Sequence, residues 1–380
     1  PAGHHAPPDA VADSEWDQEI PGKGGLTYAD QLVNFSRMHG YDRVYIGIGS
    51  FSDYYDSHLQ YGVLFNDAAY GHLTTKLRAA GIEPWAATWN TDDVNVMTCE
   101  EPGASELPIC VDYRGGRIEK LVDTIVAFNK RYPDGKWEGL ENDQEPLDQN
   151  VYATFEDLLS RIKARRDSVA PNLKLSAATV PQWAWESYPG FGNMARMVMH
   201  YTDMGSLMSY HHDLNNVKNY ATEHMKEGVS MNTPQTILTE WNPLIRWNGS
   251  EQVQCDFEKF TPTDGNPANQ WLCTENSRKH LYPYTPTDLE NFIKIVNDLD
   301  GYWREHTHST GYERIGVHSY WGTFLQFYGM RQVDTNAPVT LAEFEAIGLI
   351  NGALQSPPLT ARTFPGTVRM QAESMPSPRG

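Results

Sequence analysis

The run Trp137-Glu-Gly-Leu-Glu-Asn-Asp-Gln-Glu-Pro146 concentrates more potential chemistry than any other segment of the chain. Read as a strand, it places Glu141, Asp143 and Glu145 at alternate positions, so the three acids share one face. Three carboxyls on one face of a buried parallel strand are expensive without a purpose, because desolvation and mutual repulsion oppose their ionisation. Crowding of this kind keeps one carboxyl protonated near neutral pH, and such a group can donate a proton to a departing oxygen. A second acid, Glu240, closes the run Gln235-Thr-Ile-Leu-Thr-Glu240. A neutral acid facing an ionised carboxylate is the pair that cleavage of a glycosidic bond requires, with the two groups about 5 Å apart when the reaction retains configuration. In that scheme Glu145 donates and later removes the proton, and Glu240 attacks the anomeric carbon. The alternatives are a solvated acidic turn for the first run and a structural ion pair for Glu240.

Other residues suited to a sugar gather at the same kind of position, just past a run of strand-forming residues. Trp89-Asn90, Trp183, Tyr210-His211, Glu240-Trp241 and Tyr320-Trp321 all do so. Tyr210 is placed to hydrogen-bond the nucleophile, or else belongs to the wall of the fold. His211 suits substrate hydroxyls. A joint metal site with His212 is disfavoured, since neighbours on a strand point opposite ways. His318 faces either the core or the mouth. Trp321 is a candidate floor for the sugar, and Trp89, Trp183, Trp185 and Trp247 are candidate stacking surfaces, as indoles offer a flat apolar face with a polar edge. Asn90, Gln144, Trp241 and Glu141 complete the expected substrate-binding set.

The elements that must position these residues alternate along the chain. Helical patterns over about Tyr28–Gly40, up to Gly81, Arg117–Tyr132, Thr154–Ser168, Asn193–Tyr201, Val217–Gly228 and Thr287–His306 separate strand patterns over Arg43–Ser50, Ile82–Asn90, Trp137–Glu145, Leu173–Val180, Gly205–Tyr210, Gln235–Glu240 and Ile315–Trp321. Short apolar strands alternating with helices predict a parallel sheet with right-handed crossovers. An eighth strand, over Ala10–Asp17, would complete an α/β fold of the (β/α)8 TIM-barrel type with loop insertions. All C-terminal strand ends then converge on one face, where barrel active sites lie. An open doubly wound sheet would show a glycine-rich phosphate turn after its first strand, and none is present. The barrel is expected over residues 15–355, after a disordered lead-in at 1–14. The Pro/Thr-rich stretch from Ser356 begins a linker over 356–380.

Composition narrows the function classes. The net charge is −19, from 30 basic and 49 acidic residues, a balance that repels nucleic acid and anionic membranes. No apolar stretch approaches the roughly 20 residues needed to span a bilayer. The expected partner is a carbohydrate, the expected state a monomer, and no cofactor or metal is called for. Cys99 with Cys110, and Cys255 with Cys273, form two local pairs in loop-like segments and read as disulfides of a secreted protein, with zinc as the alternative.

Two family resemblances attach to these residues. Gln144-Glu145-Pro146 resembles the Asn-Glu-Pro acid/base signature of the clan A retaining glycoside hydrolases, and Thr239-Glu240-Trp241-Asn242 resembles their nucleophile signature. Ser319-Tyr320-Trp321 with Thr323-Phe324 resembles the strand-eight run of the β-xylosidase and α-L-iduronidase branch, and Met208-Ser-Tyr210-His211 sits where that clan places its strand-six Tyr or His. The resemblance departs at Gln144, where the clan has the Asn that contacts the sugar 2-hydroxyl. The second resemblance is to the chitinase-family pattern D-G-x-D-x-D-x-E, in Glu138-Gly-Leu-Glu141-Asn-Asp143-Gln-Glu145, with Met208-Ser-Tyr210 similar to that family's Met-x-Tyr. It implies attack by the substrate's own N-acetyl group, supported by Asp143, with Glu145 again the acid. The Ser-x-Gly-Gly run of that family is absent. Val368-Arg-Met-Gln-Ala-Glu-Ser374 resembles the opening strand of a β-sandwich carbohydrate-binding module whose remainder is missing. A barrel that binds carbohydrate without cleaving it is the reading from a different class.

Overall fold

A computed structural model describes residues 16–17, 19, 25–38, 41–49, 64, 67–89, 117–211, 214–240, 245–247, 252–256, 261–262, 265–270, 289–306 and 311–318. Seven strands form one parallel sheet in sequential order: β1 (Arg43–Gly49), β2 (Glu83–Trp89), β3 (Gly139–Asp143), β4 (Lys174–Thr179), β5 (Met204–Met208), β6 (Gln235–Glu240) and β7 (Tyr312–His318). Helix α1 (Tyr28–Met38) precedes β1. Helices α2 (Asp67–Ala79), α3 (Arg117–Arg131), α4 (Tyr152–Val169), α5 (Met194–Tyr201), α6 (Leu214–Met231) and α7 (Leu289–His306) occupy the crossovers. This is the α/β topology of a (β/α)8 barrel, and the expected alternation holds to within a few residues at each boundary. The eighth strand, expected over Ala10–Asp17, lies almost wholly outside the described residues, and Trp16–Asp17 form a turn.

The alternation within each strand divides the interior in two. In β1, Val44, Ile46 and Ile48 join the large core against the helices, with Leu32, Phe35, Leu73, Phe128 and Phe155. Tyr45 points the other way and forms a separate cluster with Trp85, Ala87 and Met204 inside the curl of the sheet. Both faces of a parallel sheet are thereby covered. The inner cluster fixes local sequence. A Cβ added at Gly139 would lie 2.4 Å from atoms of the Trp85 ring, so only glycine lets the indole pass over β3.

Arg43 ties the two ends of the sheet together. Its guanidinium lies 2.8 Å from Glu83 on β2 and 3.7 Å from Glu313 on β7, while Arg314 on β7 reaches Asp42 at 2.9 Å. Helices are clamped to one another in the same way, Arg161 to Glu119 and Arg165 to Asp123, each at 2.8 Å. Helix α1 opens with a capping box, in which the Asp30 carboxylate accepts from the Thr27 amide at 3.0 Å and the Thr27 hydroxyl accepts from the Asp30 amide at 3.2 Å. Among the described residues no helix is long and apolar enough to cross a membrane.

Candidate active site at the C-terminal strand ends

Register carries the acidic run to the mouth of the fold. Gly139 pairs with Trp85, Glu141 with Ala87 and Asp143 with Trp89 on one side, and Glu141 pairs with Ser176 on the other. Since Trp85 and Ala87 face the inner cluster, Glu141 and Asp143 do too. Strand β3 ends at Asp143, two residues earlier than expected, so Glu145 stands beyond the strand in the segment that leads to α4. Glu145 is half-buried, whereas Asp143 is buried and Glu141 has no exposed surface at all. The run is therefore graded from interior to rim. Glu141 lies beneath the surface where substrate binding was expected of it, because its strand position is two residues deeper than Asp143.

A floor of aromatic and cationic groups underlies the acids. Arg43 Nη1 donates to the Tyr45 hydroxyl at 3.3 Å and lies 3.0 Å from the Met204 sulfur. The guanidinium sits 4.6 Å from the centre of the Trp85 ring, which packs on Tyr45 at 5.5 Å. Burial pushes the Tyr45 hydroxyl above the ordinary tyrosine range, and Glu141 raises it further while Arg43 opposes both. Tyr45 thus stays a neutral group between a buried cation and a buried carboxyl. Burial would lower the Arg43 guanidinium, yet Tyr45, Glu313 and Glu83 hold it above its ordinary value. Ser176 and Thr236 place hydroxyls in buried positions of β4 and β6, with no hydrogen-bond partner among the described residues.

On the opposite part of the sheet, β6 ends at Glu240, whose backbone pairs with His318, the last residue of β7. Trp89 likewise ends β2 beside Asp143. Glu240, His318 and Trp89 are thus all C-terminal strand residues. Asn90, Trp241, Trp321, Cys99, Cys110 and Cys273 lie outside the described residues, and Cys255 belongs to a short strand over Gln252–Asp256. Among the described residues no group of three or more His, Cys, Asp or Glu side chains could hold a metal ion.

The remaining expected site residues divide. Tyr210 and His211 follow β5 and are half-buried, with Tyr210 packed against the main core. The His211 ring lies 5.6 Å from that of Tyr220, and the Asn216 amide nitrogen approaches it to 3.3 Å. Gln144 is fully buried beside the acids. Trp183 is corrected from stacking surface to core residue, since it has no exposed surface and packs on Phe155 at 5.8 Å. Its place in a short helical turn that begins with Pro181 rotates it inward. Its neighbour Trp185 is instead 54 % exposed. Arg43 and Tyr45 were not anticipated. Their signal was the alternation of Arg and Tyr with aliphatic residues in Arg43-Val-Tyr-Ile-Gly-Ile, which sets them on the face opposite the helices.

No protein-family model matches the chain, and no curated protein matches it in sequence. Several solved structures resemble it. The endo-beta-N-acetylglucosaminidase of Cordyceps militaris aligns over 87 % of this chain and 99 % of its own, at 11 % identity and a TM-score of 0.37. A chitinase from Chromobacterium violaceum aligns over 59 % and 69 %, at 11 % identity and a TM-score of 0.36. The spore cortex-lytic enzyme SleL of Bacillus cereus aligns over 60 % of this chain, at 10 % identity and a TM-score of 0.36, and the match spans 52 % of SleL, about half its length. Likenesses at this TM-score carry no functional weight.

Proposed function

We propose that this protein is an exported glycoside hydrolase that cleaves a polysaccharide or glycan with retention of configuration, Glu145 acting as acid/base and Glu240 as nucleophile. The observation that supports this reading is the topology of the acids. Glu145 lies two residues past the end of β3 and Glu240 ends β6, so both belong to the C-terminal side of one sequentially ordered parallel sheet. Barrel chemistry is built from the ends of several different strands on that side. The net charge of −19 suits a neutral substrate. The buried floor of Arg43, Tyr45 and Trp85 holds β3 in register beneath the acids.

The test is hydrolysis of a panel of aryl glycosides and oligosaccharides by Glu145→Gln and Glu240→Gln. General acid catalysis contributes roughly 10²- to 10⁴-fold, so Glu145→Gln is expected to lose activity on that scale. Retention of wild-type rates by Glu145→Gln would sink the proposal. A second reading is favoured by one observation, the buried Asp143 two residues before Glu145 on the inner face. In substrate-assisted cleavage of N-acetylhexosamine glycans, Asp143 supports the attacking acetamido group. That chemistry predicts severe loss for Asp143→Asn and mild loss for Glu240→Gln, the reverse of the first. A non-cleaving carbohydrate-binding barrel would hydrolyse none of the panel and would bind sugar equally well as wild type and as Glu145→Gln.

A further inference from the structure

The segment that follows β5 is gripped by helix α6 at alternate residues. Ser209 is buried, and its hydroxyl donates to the Val217 carbonyl of α6 at 2.9 Å. Two residues on, the His211 ring lies 5.6 Å from the Tyr220 ring, and the Asn216 Nδ2 stands 3.3 Å from the His211 Nε2 and 3.5 Å from its Nδ1. Asn216 and Tyr220 are four residues apart on α6, so they share one helix face. The Asn216 amide is nearly equidistant from the two ring nitrogens. It can therefore donate to whichever of them lacks a proton, and the contact survives a change of tautomer.

These contacts decide which way the residue between them faces. On β5, Met204 belongs to the inner cluster and the Ser206 side chain lies against the Tyr45 hydroxyl of that cluster, whereas Leu207 packs in the main core. Even-numbered residues of the strand thus point inward and odd-numbered ones toward the helices. Ser209 and His211 keep the odd phase beyond the end of the strand, since both meet α6. Tyr210, between them, keeps the even phase and turns away from α6 to the inner face. The backbone holds the same alignment. Met208 pairs with Leu238 of β6, and the Ser209 amide donates to the Leu238 carbonyl at 3.1 Å. Two residues beyond that pair, Tyr210 comes level with Glu240, the last residue of β6.

We infer that His211, held by Asn216 and Tyr220, is a positioning residue that fastens the chain to α6 and so keeps the Tyr210 side chain on the inner face, level with Glu240. This assigns the His211 ring to the helix rather than to a sugar hydroxyl. The inference rests on the glycosidase reading, with Glu240 as nucleophile, for its effect on rate, and on the α6 contacts for its geometry. A phenol beside a nucleophilic carboxylate orients that carboxylate only if the phenol is itself held, because a displacement of about 1 Å in a catalytic constellation is costly.

The experiment is a double-substitution cycle. Kinetics on the glycoside panel are measured for His211→Ala, Asn216→Ala, Tyr220→Ala and Tyr220→Phe, each alone and combined with Tyr210→Phe. The expected result is a kcat roughly 10-fold lower in His211→Ala, Asn216→Ala and Tyr220→Ala with KM unchanged, and rescue by Tyr220→Phe, which keeps the ring. Combined with Tyr210→Phe, the same substitutions should cost nothing further, because the hydroxyl they position is gone. If His211→Ala fails to fold, Asn216→Ala and the two Tyr220 variants carry the same test. Unchanged kinetics, a loss carried by KM, or a loss that multiplies in full with that of Tyr210→Phe would overturn the positioning role and leave the glycosidase reading standing. If wild type cleaves nothing, the glycosidase reading fails, and NMR of the protein labelled at its tyrosine rings decides the geometry. A Tyr210 signal, assigned by its loss in Tyr210→Phe, that shifts in Asn216→Ala and His211→Ala upholds the inference, and one that stays in place ends it.

Discussion

Arg43 on the first strand of the sheet lies 3.7 Å from Glu313 on the seventh, and among the described residues no backbone ladder joins those two strands. Among the described residues, an ion pair is thus the contact that links the two edge strands near their N-terminal ends. The Arg43 side chain is only 4 % exposed, whereas Glu83 and Glu313 keep 43 % and 24 % of theirs. Replacing Arg43 by Met removes the cation from two carboxylates, the Tyr45 hydroxyl and the Trp85 face together. The loss is expected to be about 3 kcal/mol of unfolding free energy, the scale of a buried pair deprived of one partner. Urea unfolding measures it, and a change smaller than about 0.5 kcal/mol, the usual range for surface sites, would deny Arg43 this role.

Gly139 offers a sharper steric test of the same interior. A methyl group there meets the Trp85 ring at 2.4 Å, and the ring is walled in by Tyr45 and Arg43. Gly139→Ala is expected to cost about 1–3 kcal/mol through overpacking. Because Gly139 opens the strand that carries Glu141 and Asp143, activity should fall further than stability alone explains. Thermal melting and kcat measured on the folded fraction separate the two effects, and a variant with unchanged melting would show that the ring moves aside freely.

His224 of α6 gives a pH signature. Burial pushes its imidazole down to about 4, and its Nε2 lies 3.0 Å from the Thr179 hydroxyl. The unfolded chain, with His near 6.5, takes up a proton between about pH 6.5 and 4 that the folded chain refuses. Stability therefore falls as pH drops through that window, by about 3 kcal/mol from this residue. Unfolding of wild type and His224→Gln at about pH 7 and about pH 4.5 should show the variant losing less on acidification. Parallel losses in the two proteins would place the titration elsewhere.

Glu156 accepts hydrogen bonds from Tyr188 at 2.6 Å and Tyr201 at 3.0 Å. Burial, reinforced by Glu156, pushes the Tyr188 hydroxyl upward, so both phenols remain donors across the ordinary pH range. Glu156→Ala orphans two half-buried hydroxyls and is expected to cost about 1–2 kcal/mol. Since Tyr188 helps fix the connection bearing Trp185, its amide exchange should quicken locally. Hydrogen exchange over residues 181–193 reads this directly, and unaltered protection there would show that the other anchors suffice.

The order and type of the elements were legible because periodicity is a local property. Gln235–Glu240 and the helices on either side of it follow from apolar spacing alone, and a parallel sheet follows from their alternation. The acids were legible for the same reason, as Glu141 and Asp143 alternate along one strand. What sequence could not decide was depth. Trp183 and Trp185 are two residues apart and chemically identical, yet one is core and the other open to solvent. The turn that begins with Pro181 and the packing of Phe155 make that choice, and neither is visible in spacing.

The inner floor marks the same boundary. Residue order alone dictates that Tyr45 lies opposite Val44 and Ile46, since side chains alternate across a strand. That Tyr45 meets Met204 and the charge of Glu141, and that Arg43 spans from Glu83 to Glu313, depends on how tightly the sheet curls. Curl is set by the packing of every strand and helix at once, so contacts between residues far apart in the chain belong to the tertiary structure alone.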